Sequence, residues 1–192
     1  MLTKKFAVAL IACAMTTVLA GCSGFQFCTG AGAEADPTGT AVKLDGWDNV
    51  NNLYQDGRFY FAGQPARDAF ERFAADEGIR TVINLRQPAE LESLDFDEPV
   101  TVNGLGMRYV NLPVVYSTLT DEYIDAFAAE LAKTQGPVLI HCGSSNRVGA
   151  VWGAYLVKNR GFEIDEAAKR GQAAGMTKES SMNAFKQAVG TP

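Results

Sequence analysis

The 192-residue chain is 47% hydrophobic and 20% charged, with a net charge of −5, the make-up of a folded chain with one core rather than a disordered or fibrous one. An acidic chain without a basic run lacks the footprint of a nucleic-acid or anionic-lipid binder. One histidine, no cysteine cluster and no Gly-x-Gly-x-x-Gly or Gly-Lys-Ser/Thr run leave no ligand set for a metal and no nucleotide loop, so neither metal nor cofactor is expected.

The first 21 residues read as an export signal: Lys4 and Lys5 precede "FAVALIACAMTTVLA", an apolar run short for a membrane span and followed by small residues. Its end, Leu19-Ala20-Gly21-Cys22, resembles the lipobox of bacterial lipoproteins. That resemblance implies cleavage before Cys22 and a lipid on Cys22, which would hold the protein in the cell envelope, facing the periplasm or on the outer membrane. An uncleaved anchor or an ordinary secretory cut is the alternative. Without residues 1 to 21, 15 basic residues face 22 acidic ones, a net of −7. Residues 22 to 45, including "SGFQFCTGAGAEADPTGTA", read as a flexible tether, and residues 46 to 192 as one domain. Export implies an oxidising compartment, in which Cys28 and Cys142 either pair or leave Cys142 free.

After the tether, "GRFYFAGQP" predicts a short aromatic strand ended by Gly63 and Pro65. "ARDAFERFAADEG" places Phe70, Phe73 and Ala74 on one helical face and ends at Gly78. "IRTVINLRQPAE" and "MRYVNLPV" predict buried strands closed by Pro88 and Pro113. "TDEYIDAFAAELAKTQG" predicts a helix capped by Thr120, with acids in its first turn. "PVLIHC" is apolar throughout, as a strand covered on both faces should be, and the chain then enters the helix "NRVGAVWGAYLVKNRG". Helices around "DEAAKRGQAAG" and "SMNAFKQAV" complete the domain. Strands alternating with helices indicate an α/β, three-layer domain with a mainly parallel sheet.

Ligands of such folds bind at the carboxyl ends of strands, where Cys142 stands. Gly143, Ser144, Ser145 and Asn146 supply small residues whose amides can form an anion nest, and the following helix aims its positive end at the same spot. Both effects favour a thiolate. Arg147 can fork two oxygens of an oxyanion, and a cation in a first helical turn is otherwise disfavoured. The competing reading is an inert buried cysteine at a turn, with Asn146 as helix cap. His141 points opposite to Cys142 by strand alternation; it either supports the loop from behind or is a satisfied core histidine. Trp47, Tyr54, Phe59 and Tyr60 read as core caps.

"HCGSSNRVG" resembles the His-Cys…Arg signature of the cysteine-dependent tyrosine and dual-specificity phosphatases. With "FAGQP", "GIRTVINLRQPAE", "YVNLPV" and "PVLIHCGSSNRVGAVW" in that order, the chain from about Arg58 to Gly175 resembles the phosphatase-like domain of beta-lactamase hydrolase-like proteins. The resemblance implies a dual-specificity-phosphatase-like fold and hydrolysis of phosphate monoesters, on a small molecule or a protein. Cys142 would be the nucleophile forming a phosphocysteine, and Arg147 with the amides of Gly143, Ser144, Ser145 and Asn146 would hold the phosphoryl oxygens. Arg86 and Glu90 would either border the pocket or pair on the surface.

Two departures keep other functions open. The phosphatase pattern has five residues between Cys and Arg, and here there are four; a six-residue loop resembles that of the rhodanese sulfurtransferases, whose cysteine carries a persulfide. The general acid of these phosphatases is an aspartate about thirty residues before the cysteine, and in "PVVYSTLTDEY" the nearest acid is Asp121. It is either that acid or a first-turn helix residue explained by the dipole. Lacking an acid, the domain would be limited to activated esters or be a weak anion-binding module.

Overall fold

Pairing begins earlier in the chain than the sequence suggests. The computed structural model describes residues 39 to 190, and β1 (Val42–Lys43) already lies in the sheet, inside the stretch expected to be tether. The export signal, Cys22 and Cys28 fall outside the described residues. The chain then forms β2 (Tyr54–Asp56), β3 (Phe59–Ala62), α1 (Ala69–Ala75), β4 (Thr81–Asn84), α2 (Pro88–Leu91), α3 (Glu98–Gly104) and β5 (Arg108–Asn111). A 3-10 turn at Tyr116–Thr118 leads to α4 (Asp121–Ala132), β6 (Val138–His141), α5 (Asn146–Arg160), α6 (Ile164–Ala173) and α7 (Glu179–Ala188). Among the described residues, no helix is long and apolar enough to cross a membrane.

The six strands form one sheet in the order β1-β2-β3-β6-β4-β5, parallel from β3 to β5 and antiparallel over β1, β2 and β3. It is the mainly parallel α/β sheet expected, extended by an antiparallel hairpin whose two first strands the apolar pattern did not reveal. β6 is central, and all four of its residues are buried. Alternate residues serve opposite faces. Phe59, Phe61, Val138 and Ile140 pack on one side against α4, α5 and α7 through Phe127, Trp152 and Phe185. Tyr60, Ala62, Val82 and Leu139 pack on the other against Phe70, Phe73 and Val102 of α1 and α3. Covering both faces accounts for the unbroken apolar runs of the inner strands. Each fully buried large side chain here contributes roughly 1.5–3 kcal/mol.

Helix ends follow local chemistry. Thr120 caps α4 by accepting from Tyr123 N, as expected. α1 stops at Ala75, before Gly78, whose φ of +63° instead turns the chain toward β4. Asn146 is the first residue of α5 rather than its cap; that place belongs to Ser145, in the left-handed region at φ +65°. Gly149 on α5 and Gly171 on α6 let the two helices meet: a β-carbon on Gly149 would stand 2.3 Å from Gly171 O.

Candidate active site

The apolar strand β6 delivers Cys142 to its carboxyl end, and Cys142 N donates to Ala62 O of the adjacent β3 at 3.2 Å. The thiol is free and buried at 1% exposure, on the α4/α5 face of the sheet. Gly63 and Ser144 then form an isolated antiparallel bridge, with Gln64 N donating to Gly143 O, and Gly149 N donates to Ser145 O. Apart from that bridge, no acceptor among the described residues takes the amides of Gly143 to Arg147. Such donors, at the positive end of a 15-residue helix, are an arrangement that can receive an anion.

The loop is shaped by side chains that do not face a ligand. Ser145, fully buried, donates from Oγ to Ala174 O at 2.8 Å, which holds its left-handed backbone in place. Gly175 packs so closely that a β-carbon there would stand 2.6 Å from Ser145 Cβ. Asn146 Oδ1 accepts from Thr177 N at 3.0 Å, Lys178 N at 2.7 Å and Ser181 Oγ at 3.1 Å, tying the start of α5 to the start of α7. On the other side Gln64 N donates to Gly143 O at 3.3 Å, and Asn52 Nδ2 to Ser144 O at 3.3 Å. Of the expected loop residues, Gly143 and Ser144 thus offer backbone to a ligand, while Ser145 and Asn146 also anchor the loop with their side chains.

Arg147 folds back over the loop. Its Nη2 lies 3.8 Å from where a β-carbon on Gly143 would stand, and its charge interacts with Cys142. Its Nη1 donates to Glu90 Oε2 and its Nη2 to Glu90 Oε1, each at 2.7 Å, while Nη1 also donates to Val114 O at 3.2 Å. Burial alone would disfavour the charge on Arg147, but Glu90 and Cys142 more than offset it and raise its pKa. The hydrogen bonds from Arg147 in turn hold the Glu90 carboxyl at about 2, against its partial burial. Glu90 thus faces Arg147 as well as Arg86, whose Nε stands 3.7 Å from Glu90 Oε1. Its place follows from Pro88 at the start of α2 and from the Glu90 carboxylate accepting from Gln87 N at 2.8 Å.

His141 faces away from Cys142, as alternation predicts, and its Nε2 meets Glu98 Oε1 at 3.0 Å. Glu98 is 1% exposed, and it also accepts from Asn84 Nδ2 and Gln64 Nε2, each at 2.6 Å. Burial would raise the Glu98 pKa, but the charge and hydrogen bonds of His141, with Gln64 and Asn84, bring it to about 2. No sequence signal singles out Glu98, because its partners come from three separate segments.

Asp121 is not brought to the loop. It opens α4, and its carboxylate accepts Lys158 Nζ at 2.8 Å. Lys158 stands eleven residues beyond Arg147 on α5, about 16 Å along the helix axis. The loop from Leu112 to Thr120 carries no carboxylate. Tyr123, beside the Cys142–Arg147 pair, donates its hydroxyl to Leu112 O at 2.7 Å, and burial pushes its pKa upward. Trp47, Phe59 and Tyr60 are core residues as expected, Trp47 stacking on Phe73 at 4.4 Å between centroids. Among the described residues, no group of three or more His, Cys, Asp or Glu is placed to hold a metal ion.

Comparison with known proteins agrees with this geometry. Residues 58–157 match the model of the family described as "Beta-lactamase hydrolase-like protein, phosphatase-like domain". A beta-lactamase hydrolase-like protein of Xylella fastidiosa is 32% identical over 138 residues, which are 70% of this chain and 32% of that protein. The chain therefore spans about a third of the length of the curated relatives it matches. The fold is that of P. aeruginosa TpbA, whose cysteine-to-serine variant is solved with phosphotyrosine: TM-score 0.62, 20% identity, 81% of this chain and 90% of that one. Tk-PTP in its active form has the same fold, with TM-score 0.56, 21% identity, 75% of this chain and 98% of that one.

Proposed function

We propose, because the chain belongs to the beta-lactamase hydrolase-like phosphatase-like domain family, that it hydrolyses phosphate monoesters through a phosphocysteine on Cys142. The observation that carries this reading is the position of Arg147, which Glu90 forks and holds beside Gly143, the residue after Cys142. Cys142 Sγ attacks phosphorus as thiolate, the P–O ester bond breaks, and the leaving oxygen keeps the bonding pair. Arg147 and the amides of Gly143 to Asn146 hold the non-bridging oxygens, where charge develops. Water then attacks phosphorus, the S–P bond breaks and the thiolate returns. The proton that water gives up balances the one that the leaving oxygen acquires.

The acid-free loop from Leu112 to Thr120 narrows the substrate. A phenol, with a pKa of about 10, leaves without an acid far more readily than an aliphatic alcohol. Aryl phosphates, phosphotyrosine among them, are the substrates assigned, and the phosphotyrosine bound to TpbA supports this choice. Exposed Val115, next to the Val114 carbonyl that takes Arg147, offers apolar surface to an aryl ring. Export and a lipid on Cys22, read from the sequence, complete the proposal by placing the domain in the cell envelope.

The test uses the full chain on para-nitrophenyl phosphate and on thiosulfate with cyanide, each beside Cys142→Ser. Phosphate release that needs Cys142 supports the reading. Cys142-dependent thiocyanate without phosphate release would assign the six-residue loop to sulfur transfer instead.

A further inference from the structure

We propose that Glu98, on the opposite face of the sheet from Cys142, is a positioning residue for Arg147 and acts through Gln64, Arg86 and Glu90; this rests on the phosphatase reading above. Side chains outside the loop join its two ends. His141, which precedes Cys142, meets Glu98 Oε1; Glu98 Oε2 accepts from Gln64 Nε2 at 2.6 Å; and Gln64 Oε1 accepts from Arg86 Nη1 at 2.5 Å. Arg86 Nη2 donates to Glu90 O at 2.7 Å, and the Glu90 carboxylate forks Arg147, which closes the loop.

Donor and acceptor types make this chain directional. Three donors, Asn84 Nδ2, His141 Nε2 and Gln64 Nε2, converge on Glu98, and only an acceptor-only group satisfies all three. Glu98 thereby fixes which end of the Gln64 amide faces it. The amide oxygen is left toward Arg86, whose guanidinium can only donate. A flipped Gln64 would set an NH2 against the guanidinium and release Arg86 from one of its two side-chain hydrogen bonds, leaving it only Glu90. Glu98, Asn84 and His141 are at most 1% exposed and Arg86 is 9% exposed. In so enclosed a network a lost partner is costly, and a change at one end is felt at the other.

Glu98→Gln presents an NH2 to donors and favours that flip. Its kcat/KM on para-nitrophenyl phosphate falls about ten- to a hundredfold, as a displaced catalytic group does, and its affinity for vanadate falls with it. Pairing it with Gln64→Glu restores the pattern: the new amide donates to a carboxylate at 64, which accepts from Arg86. The double variant therefore recovers to within about threefold of wild type, because the two sites are coupled rather than additive. Thermal denaturation beside each assay separates lost fold from lost positioning, since a merely structural Glu98 lowers the melting temperature and leaves the folded protein's kcat/KM unchanged. If Glu98→Gln does not fold, Gln64→Met removes the acceptor of Arg86 while Glu98 keeps Asn84 and His141, and the same loss is expected of it. A folded single variant at wild-type kcat/KM, or a double variant no better than Glu98→Gln, overturns the inference and leaves the phosphatase reading standing. A wild-type chain without Cys142-dependent phosphate release removes both.

Discussion

Glu90 and Arg147, 57 residues apart in sequence, meet through two parallel hydrogen bonds of 2.7 Å. The carboxylate holds the arginine beside Gly143, at the start of the loop, before any phosphate arrives, and a fork of this kind needs a planar guanidinium. Arg147→Lys keeps the charge but loses the fork. Its kcat/KM on para-nitrophenyl phosphate should fall roughly 10²–10³-fold, as when one preorganised donor to a developing anion is removed. A lysine variant within a fewfold of wild type would show that charge alone suffices.

Both site glutamates make the fold acid-sensitive. Glu90 and Glu98 are held at about 2 in the folded chain, below the roughly 4.3 of an unfolded glutamate. Folded values below unfolded ones mean that this stability is fully present above about pH 4.3 and is lost as pH falls toward 2. The urea midpoint should therefore be flat from about pH 6 to 5 and drop below about pH 4. Glu98→Gln removes the buried share, so its midpoint should descend less steeply over the same window.

Ser145→Val tests the loop's backbone. A β-branched residue at φ +65° is strained, and the loss of Oγ leaves the Ala174 carbonyl without its donor. Each effect costs about 1–3 kcal/mol. Ser145→Gly keeps the left-handed turn and should lose less on both thermal stability and kcat, an order that equal losses would refute.

The close approach of α5 and α6 predicts that Gly149→Ala is severe. Its β-carbon would meet Gly171 O at 2.3 Å and Met176 N at 2.6 Å, backbone atoms that cannot rotate away. Destabilisation of about 1–3 kcal/mol or more is expected, read as a lowered thermal midpoint.

Asp121→Asn should leave kcat on aryl phosphate within about twofold of wild type, because only an exposed ion pair to Lys158 is lost, a contact of roughly 1 kcal/mol or less. A large fall in kcat, with the alkaline limb of its pH profile lost, would restore Asp121 as the acid.

Much of the site was legible in the chain because its parts are contiguous. Cys142, the small loop residues and Arg147 lie within six positions, and the apolar β6 before them announces a central strand. From β5 onward the order of strands and helices followed from apolar period and turn residues, while the short α2 and α3 before it were not foreseen. β1 and β2 escaped because two exposed residues, then two half-buried ones and the buried but polar Asp56, carry no apolar alternation. Gln64, Asn84 and Glu98 escaped for a different reason. Each is an unremarkable polar residue in its own segment, and only the rung that sets Ala62, His141 and Asn84 side by side brings the network together. Asp121 stood at a plausible spacing, but distance in sequence did not convey that α4 turns its first residue toward the far end of α5.

The most direct test of the account is to trap the intermediate. Full-length protein is mixed with excess aryl phosphate, quenched in acid within one turnover, and digested for mass spectrometry. The account predicts one phosphoryl group on the peptide that carries Cys142, absent from Cys142→Ser. Steady release of phosphate with Cys142 unmodified, or sulfur on Cys142 after thiosulfate and no phosphoryl group after ester, would contradict it.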